Sequence, residues 1–252
     1  RQPAAREEKL GAKHEDTLSS VHSLATVLLD QGQYAAAETL FRRAVAGRTE
    51  KLGATHQDTL RSPNGLALAL MCQKGKPKQD EAARLFRRVL AAQEATLGVD
   101  HESTLITAGN LAMLLMKQGE HAVALPLNRR VLAGREALLG DEHPRTLVAV
   151  NNLAFTLQEL RRFDEAEPLY RRSLAGREAR HGPTHPSTVR AVWELAVFLF
   201  ERGRYAEAAP LFRRAADGAA ANPDNAHCRG ILGDDPLGYA MECERRAKEA
   251  EQ

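Results

Sequence analysis

One sixteen-residue phrase is spelled five times along the chain, and it limits the possible folds more than any other feature. "LGAKHEDTLSSVHSLA" begins at Leu10, "LGATHQDTLRSPNGLA" at Leu52, "LGVDHESTLITAGNLA" at Leu97, "LGDEHPRTLVAVNNLA" at Leu139 and "HGPTHPSTVRAVWELA" at His181. The steps between them are 42, 45, 42 and 42 residues. A period of this length marks a chain that stacks one supersecondary unit on the next, because a single unit cannot bury its own apolar face. The three extra residues lie near "QKGKPKQDE", between Gln73 and Glu81, where Gly75 and Pro77 mark a turn. An insertion in a turn leaves the helical phase on either side intact, and the register recovers at Leu85.

Each period reads as two helices. In the third, Leu105, Ala108, Leu111, Ala112 and Leu115 follow i, i+3 and i+4 spacing over a first helix from about Ser103 to Lys117. A break follows at Gly119, as at Gly32 and Gly203 in sister units. A second helix then carries an "A-x-x-L-F/Y-R-R" core, as in Ala37–Arg43 and Ala208–Arg214, and stops at Gly53, Gly98, Gly140 or Gly182. Pro126, Pro168 and Pro210 fall within its first turn or so, where few backbone hydrogen bonds are lost. Alanine fills two columns, at 25, 67, 112, 154 and 196 and at 37, 82, 124, 166 and 208, with large residues beside them. Small beside large lets helices interlock closely. Gly47, Gly134 and Gly176, inside second helices at about 1 kcal/mol each against Ala, imply close approach of the next repeat. Aromatics are only 5% of the residues, which favours helix over strand. The expected fold is all-α: an α-solenoid of about five helix-turn-helix repeats with a C-terminal capping helix.

The same alignment divides the chain. "AAREEKLG" at Ala4–Gly11 matches "AGREALLG" at Ala133–Gly140, so residues 1–11 read as the tail of a preceding repeat helix. The chain therefore reads as a fragment of a longer array, or as processed at its N-terminus. Five repeats follow over 12–218, approximately 12–53, 54–98, 99–140, 141–182 and 183–218. Residues 219–234, with Asn222, Pro223, Asn225, Gly230 and Gly233, have linker composition. Residues 235–252 read as the capping helix, with Asp235 as cap, Pro236 at the first position and Leu237, Ala240 and Met241 along one stripe. A regulatory tail is the alternative.

The pattern "LGxxHPxTLxxxNNLAxxLxxxGxYxEAExLxRRAL", met best by residues 139–179, resembles tetratricopeptide repeats of the 42-residue kinesin light chain type. The resemblance covers residues 4–218. It departs at Asn128, which replaces an aromatic, at His121, which replaces a Tyr, and at Pro63, where Ser62 is positioned to cap a shortened helix. The resemblance implies that the α-solenoid is right-handed and that first helices line a concave groove. It places His22, Asn64, Asn151 and Trp193 in one inward column, and Ser23, Asn110, Asn152 and Glu194 beside it, with Gly65 as a gap. Farther along come Leu68, Met113, Phe155 and Val197, then Met71, Met116, Gln158 and Phe200, with Arg61, Lys117 and Arg190 adding charge. Asn64, Asn110, Asn151 and Asn152 are thereby candidates to pair with a ligand backbone. Met113, Phe155, Gln158, Lys117, Arg190 and Trp193 complete the candidate peptide-binding groove, with ordinary packing as the competing role for Met113 and Phe155.

Other chemistries find little support. His14, His56, His101, His143 and His185 form a periodic column, but stacked helices sit about 9–10 Å apart, while zinc ligands lie within about 2.1 Å of their metal. Ordering the turn before each first helix is the simpler role. No phosphate loop, H-E-x-x-H, paired C-x-x-C or nucleophile elbow is present, and "HCRG" at His227–Gly230 is adjacency alone. No enzyme activity, cofactor or metal is therefore expected. The Arg42/Arg43, Arg87/Arg88, Arg129/Arg130, Arg171/Arg172 and Arg213/Arg214 pairs form a ridge offset by its own acids, and the net charge is +2, so no nucleic-acid partner is expected. No apolar run approaches the roughly 18 residues of a membrane span. Three scattered cysteines point to a reducing compartment, hence the cytoplasm. The expected function is a protein-interaction scaffold, an adaptor gripping a peptide or protein segment, monomeric alone. The alternative is a permanent subunit of a larger assembly, held by its convex face and ends.

Overall fold

The computed structural model describes residues 2–54 and 56–250, without the side chains of residues 2–5, His227, Leu232 and Ala250. The described chain is helical, with no strand among the described residues. Its elements are α1 (Gln2–Leu10), α2 (Glu15–Asp30), α3 (Tyr34–Leu52), α4 (Gln57–Met71), α5 (Lys76–Leu97), α6 (Glu102–Lys117) and α7 (His121–Leu139). There follow α8 (Pro144–Glu159), α9 (Phe163–His181), α10 (Pro186–Glu201), α11 (Tyr205–Ala220), α12 (Ala226–Gly233) and α13 (Pro236–Ala250). The chain divides into two compact units, Arg1–Gly134 and Arg135–Gln252. In the first, α2 packs on α3, α3 on α4, α4 on α5 and α5 on α6, and the first helices α2, α4 and α6 touch in turn. In the second, α8 packs on α9, α9 on α10, α10 on α11 and α11 on α13. Successive packed pairs are the architecture of an all-α solenoid.

The recurring phrase is the device that starts each first helix. His14, His56, His101, His143 and His185 are the N-caps of α2, α4, α6, α8 and α10, and each Nδ1 accepts the backbone N–H two residues on at 3.1–3.2 Å. Such a cap is worth about 0.5–2 kcal/mol. The threonine three residues later is buried in all five phrases. Thr104 and Thr146 donate to the carbonyls of Gly98 and Gly140 at 2.8 Å, tying the end of one second helix to the start of the next first helix. Gly140 and Gly182 adopt φ +83°, which a residue with a Cβ resists. All ten alanines of the two columns are 0% exposed, so the helices of each pair meet there. Phe41, Phe86 and Phe212 fill the adjoining space.

An arginine column performs a similar stitch. Arg6, Arg48, Arg135 and Arg177 each donate through Nη1 to the carbonyl ten residues ahead, at 3.3, 2.8, 2.8 and 3.0 Å. Arg48 also reaches Ser62 Oγ at 3.0 Å. The fifth member of this column is Gln93.

Several local expectations are corrected. The three extra residues lengthen the start of α5, which has 22 residues against 19 in α3, α7 and α9. Lys78 there pairs with Glu38 at 2.7 Å, which anchors the added turn. Gly47, Gly134, Gly176 and Gly218 face the first helix of their own pair rather than the next repeat. A Cβ would fall 2.5–2.7 Å from Leu18, Leu105, Leu147 and Val189 respectively. Pro126, Pro168 and Pro210 lie at the sixth residue of α7, α9 and α11, past the first turn, so each removes one backbone bond. Residues 219–234, read as a linker, contain α12. On α13 the buried stripe is Pro236, Ala240 and Cys243, while Leu237 and Met241 are 54% and 71% exposed. Residues 1 and 251–252 and the side chain of His227 lie outside the described residues.

Pro63 gives the sharpest correction. Ser62 does not restart a helix; α4 is capped by His56 and runs through the proline. Ser62 is buried and spends its hydroxyl on Arg48 instead. Burial on both sides of the proline holds α4 helical although the ring removes the bond to the Thr59 carbonyl, at about 3 kcal/mol. The equivalent positions, Val21, Ala108, Val150 and Val192, are buried aliphatics. Pro63→Val is therefore expected to stabilise the chain by about 2 kcal/mol, after allowing for the unfolded-state freedom it restores. Thermal unfolding checks this, and an unchanged or lower midpoint would refute it.

Candidate functional site

The first helices open a cavity within each unit. In the first unit, α2, α4 and α6 with α3 and α5 behind them enclose about 390 Å³. His22 lines it, with its ring edge-on to Phe41 at 5.3 Å and Nδ1 3.4 Å from Ser62 Oγ. Burial, then the cations Arg48 and Arg61, push its pKa down to about 4, so the imidazole is neutral. Asn64 lines the same cavity and accepts Thr107 Oγ1 at 3.5 Å. Gly65 is required beside it, because a Cβ would lie 2.4 Å from the Phe41 ring. Gln93 is 6% exposed, and its Oε1 has no hydrogen-bond donor.

Other predicted residues of the first unit lie apart from that cavity. Asn110 is half-buried on α6 and Met113 is 42% exposed. Lys117 donates to the Met71 carbonyl at 3.2 Å, which satisfies the end of α4. Met116 Sδ accepts Asn128 Nδ2 at 3.3 Å, so an amide replaces the aromatic of this column without being left unbonded.

In the second unit, α8 and α10 with the end of α9 enclose about 410 Å³. Asn151, Asn152 and Arg190 all line it. Asn151 Oδ1 is buried and accepts no hydrogen bond, while Arg190 Nε bonds Glu194 at 2.9 Å. The rings of His181 and His185 stack at 4.3 Å on the cavity wall. Desolvation, then His185, Arg180 and Arg177, lower the His181 pKa. Phe155 is 38% exposed on α8, outside this cavity. Gln158 is committed at both ends of its amide, donating to Glu201 and accepting from Tyr170 at 2.8 Å each. Burial raises the Tyr170 pKa, which keeps it a donor. Trp193 is half-buried, with Phe212 at 5.2 Å and Tyr239 of α13 at 5.6 Å, both edge-to-face. It serves the docking of α13 as well as the first-helix face.

In four of the five basic pairs the second arginine is engaged by an acid from the preceding second helix. Arg43 meets Glu7 at 2.8 Å, Arg130 meets Glu94 and Arg172 meets Glu136 at 2.5 Å, and Arg214 meets Glu178. Arg42 bridges Glu38 and Glu81 at 2.9 Å. Among the described residues no three His, Cys, Asp or Glu side chains gather as a metal site, and no helix is long and apolar enough to cross a membrane. The stitching arginines, and Gln93 as their odd member, escaped the sequence reading. The column 6, 48, 93, 135 and 177 was its available signal.

Comparison with known proteins agrees with this construction. Tetratricopeptide repeat family profiles match residues 58–137, 104–179 and 145–221, and a second such profile matches residues 17–58. Two solved structures described as a Podosopora anserina putative kinesin light chain with nearly identical TPR-like repeats are similar. One is 28% identical, covering 84% of this chain and 99% of that chain at a TM-score of 0.72. A point variant of it is 29% identical, covering 82% and 97% at the same TM-score. BtubC (BKLC) from P. vanneervenii shares the fold, at 19% identity and a TM-score of 0.72 over 89% of this chain and 87% of that one. No curated protein matches the chain. The capped first helices, the alanine columns and these matches together establish that the chain belongs to the tetratricopeptide repeat family, of the kinesin light chain type, whose fold is a non-enzymatic scaffold for protein interaction.

Proposed function

We propose that the chain is a cytoplasmic adaptor that grips an extended peptide segment of a partner protein on the inner faces of its first helices. The observation that carries this reading is Asn151. Its Oδ1 is buried without a donor, in a side chain that lines the second-unit cavity beside Asn152. An acceptor in that state costs about 1–3 kcal/mol, which a peptide N–H relieves. An asparagine amide offers both donor and acceptor, so it holds a backbone without reading side chains. Val148 on the same wall, 46% exposed, supplies apolar contact.

The test begins by capturing partners on the purified chain and mapping the bound segment by mass spectrometry. The synthetic segment is then titrated against Asn151→Ala/Asn152→Ala. The double variant is expected to bind about tenfold or more weakly, with an unchanged melting temperature. A lowered melting temperature with intact affinity would show that the two residues only pack. The outward Leu237 and Met241 of α13 favour a second reading, a fixed subunit held by its end. That reading predicts a partner that co-purifies and is lost from Leu237→Glu/Met241→Glu while the asparagine variant retains it.

A further inference from the structure

We propose that the first-unit cavity is a subsite for a primary amide, the side chain of a glutamine or asparagine in the bound segment. The proposal rests on the peptide-groove reading and assigns side-chain chemistry to a place that reading leaves open.

Two departures of the chain from its own repeat meet at this cavity. At 65, where sister repeats carry Ser23, Asn110, Asn152 and Glu194, there is only glycine, which leaves the Phe41 ring its space. At 93, where sister repeats carry the stitching arginine, there is glutamine. Arg48 spans to the Asp58 carbonyl and Ser62 Oγ, ten and fourteen residues ahead. The same steps from 93 lead to Ser103 and Thr107, both on the cavity wall. The shorter glutamine makes neither bond. Its Oε1 stays buried without a donor, in a residue only 6% exposed.

The lining selects by charge and by hydrogen count. His22 is neutral, and Arg61 stands on the wall with its side chain 67% exposed. A cationic side chain would face Arg61 with no carboxylate in the lining to receive it. A carboxylate would bring no hydrogen to Gln93 Oε1, and an aliphatic group would leave that oxygen unbonded in an apolar wall. A hydroxyl brings one hydrogen. A primary amide brings two, one for Gln93 Oε1 as that side chain turns toward the cavity and one for Asn64 Oδ1, whose donor Thr107 lies at the long distance of 3.5 Å. Its carbonyl is left for the Arg61 guanidinium, and its methylene stem for Leu60 and Ile106.

The test uses the full chain, isotopically labelled, titrated with the N-methylamides of N-acetylglutamine, N-acetylglutamate and N-acetylleucine, so that only the glutamine probe carries a primary amide. The Gln93 side-chain NH₂ resonance is followed by NMR. Saturable shifts are expected for the glutamine probe, with the other two about tenfold or more weaker. Gln93→Arg rebuilds the stitch and fills the space, so it should abolish the response while keeping or raising the melting temperature. Asn151→Ala/Asn152→Ala should leave the response intact. The proposal is overturned by equal or stronger binding of the leucine or glutamate probe, by no saturable shift, or by a Gln93→Arg chain that still responds. If Gln93→Arg leaves affinity for the mapped partner segment unchanged while the asparagine variant weakens it, the groove reading stands and the amide subsite falls.

Discussion

Phe212→Ala is expected to lower the unfolding free energy by about 3–5 kcal/mol, among the largest effects available to a single side chain here. Phe212 on α11 is 0% exposed. It stacks on Tyr239 of α13 at 5.2 Å and meets Trp193 and Phe200 of α10 edge-to-face at 5.2 and 6.1 Å. Its removal leaves a cavity and withdraws the surface on which α13 docks. Trp193 is the only tryptophan, so its emission reports the event directly. The expected outcome is a lower urea midpoint and a red-shifted native spectrum, as Tyr239 leaves the indole. Phe212→Leu, which keeps most of the volume, should retain the native spectrum and lose less. A loss under about 1 kcal/mol for the alanine variant would show that α13 is held by other contacts.

Acidification should destabilise the first unit through His22. The imidazole pKa falls from 6.5 to about 4 on folding, chiefly because burial disfavours the charged ring, with Arg48 and Arg61 adding repulsion. The unfolded chain therefore takes up the proton first as pH falls. The contribution is complete above about pH 6.5 and is lost on the way down to about pH 4, amounting to about 3 kcal/mol. Urea unfolding at pH 7 and 4.5, on the parent chain and on His22→Gln, measures it. The parent should lose about 2–3 kcal/mol more than the variant over that interval. Equal losses would show that the ring becomes charged in the folded state without cost.

The five-fold phrase made the helix pairs, the alanine columns and the family legible because every repeat obeys the same local rules. A histidine that caps, a threonine three residues on and a glycine that stops the helix act within a few residues of themselves. Their spacing therefore reports their role directly. Less legible was anything that depends on which surface a helix turns to its neighbour. Gly47 and its sisters looked like contacts to the next repeat, yet they face Leu18 and its equivalents in their own pair. Of the stripe assigned to α13, Ala240 is buried, together with Cys243, while Leu237 and Met241 point outward. Spacing within an isolated helix does not say where its partner lies.

The candidate site divides along the same line. The inward placing of residues 64, 151 and 152 followed from the family resemblance, and the structure has all three lining cavities. Whether a polar atom in such a column is satisfied depends on atoms from other helices. Gln158 is bound at both ends by Glu201 and Tyr170, and Lys117 is drawn to a carbonyl of α4, whereas Asn151 Oδ1 and Gln93 Oε1 are left buried without a donor. Pro63 shows the same dependence from the other side, since local sterics argue for a broken helix and packing on both flanks overrules them. Repetition, read in one dimension, was enough to specify the unit and its manner of stacking. Which hydrogen-bonding groups remain unanswered was decided only by the packed chain, because that depends on distances between residues on different helices that no local pattern encodes.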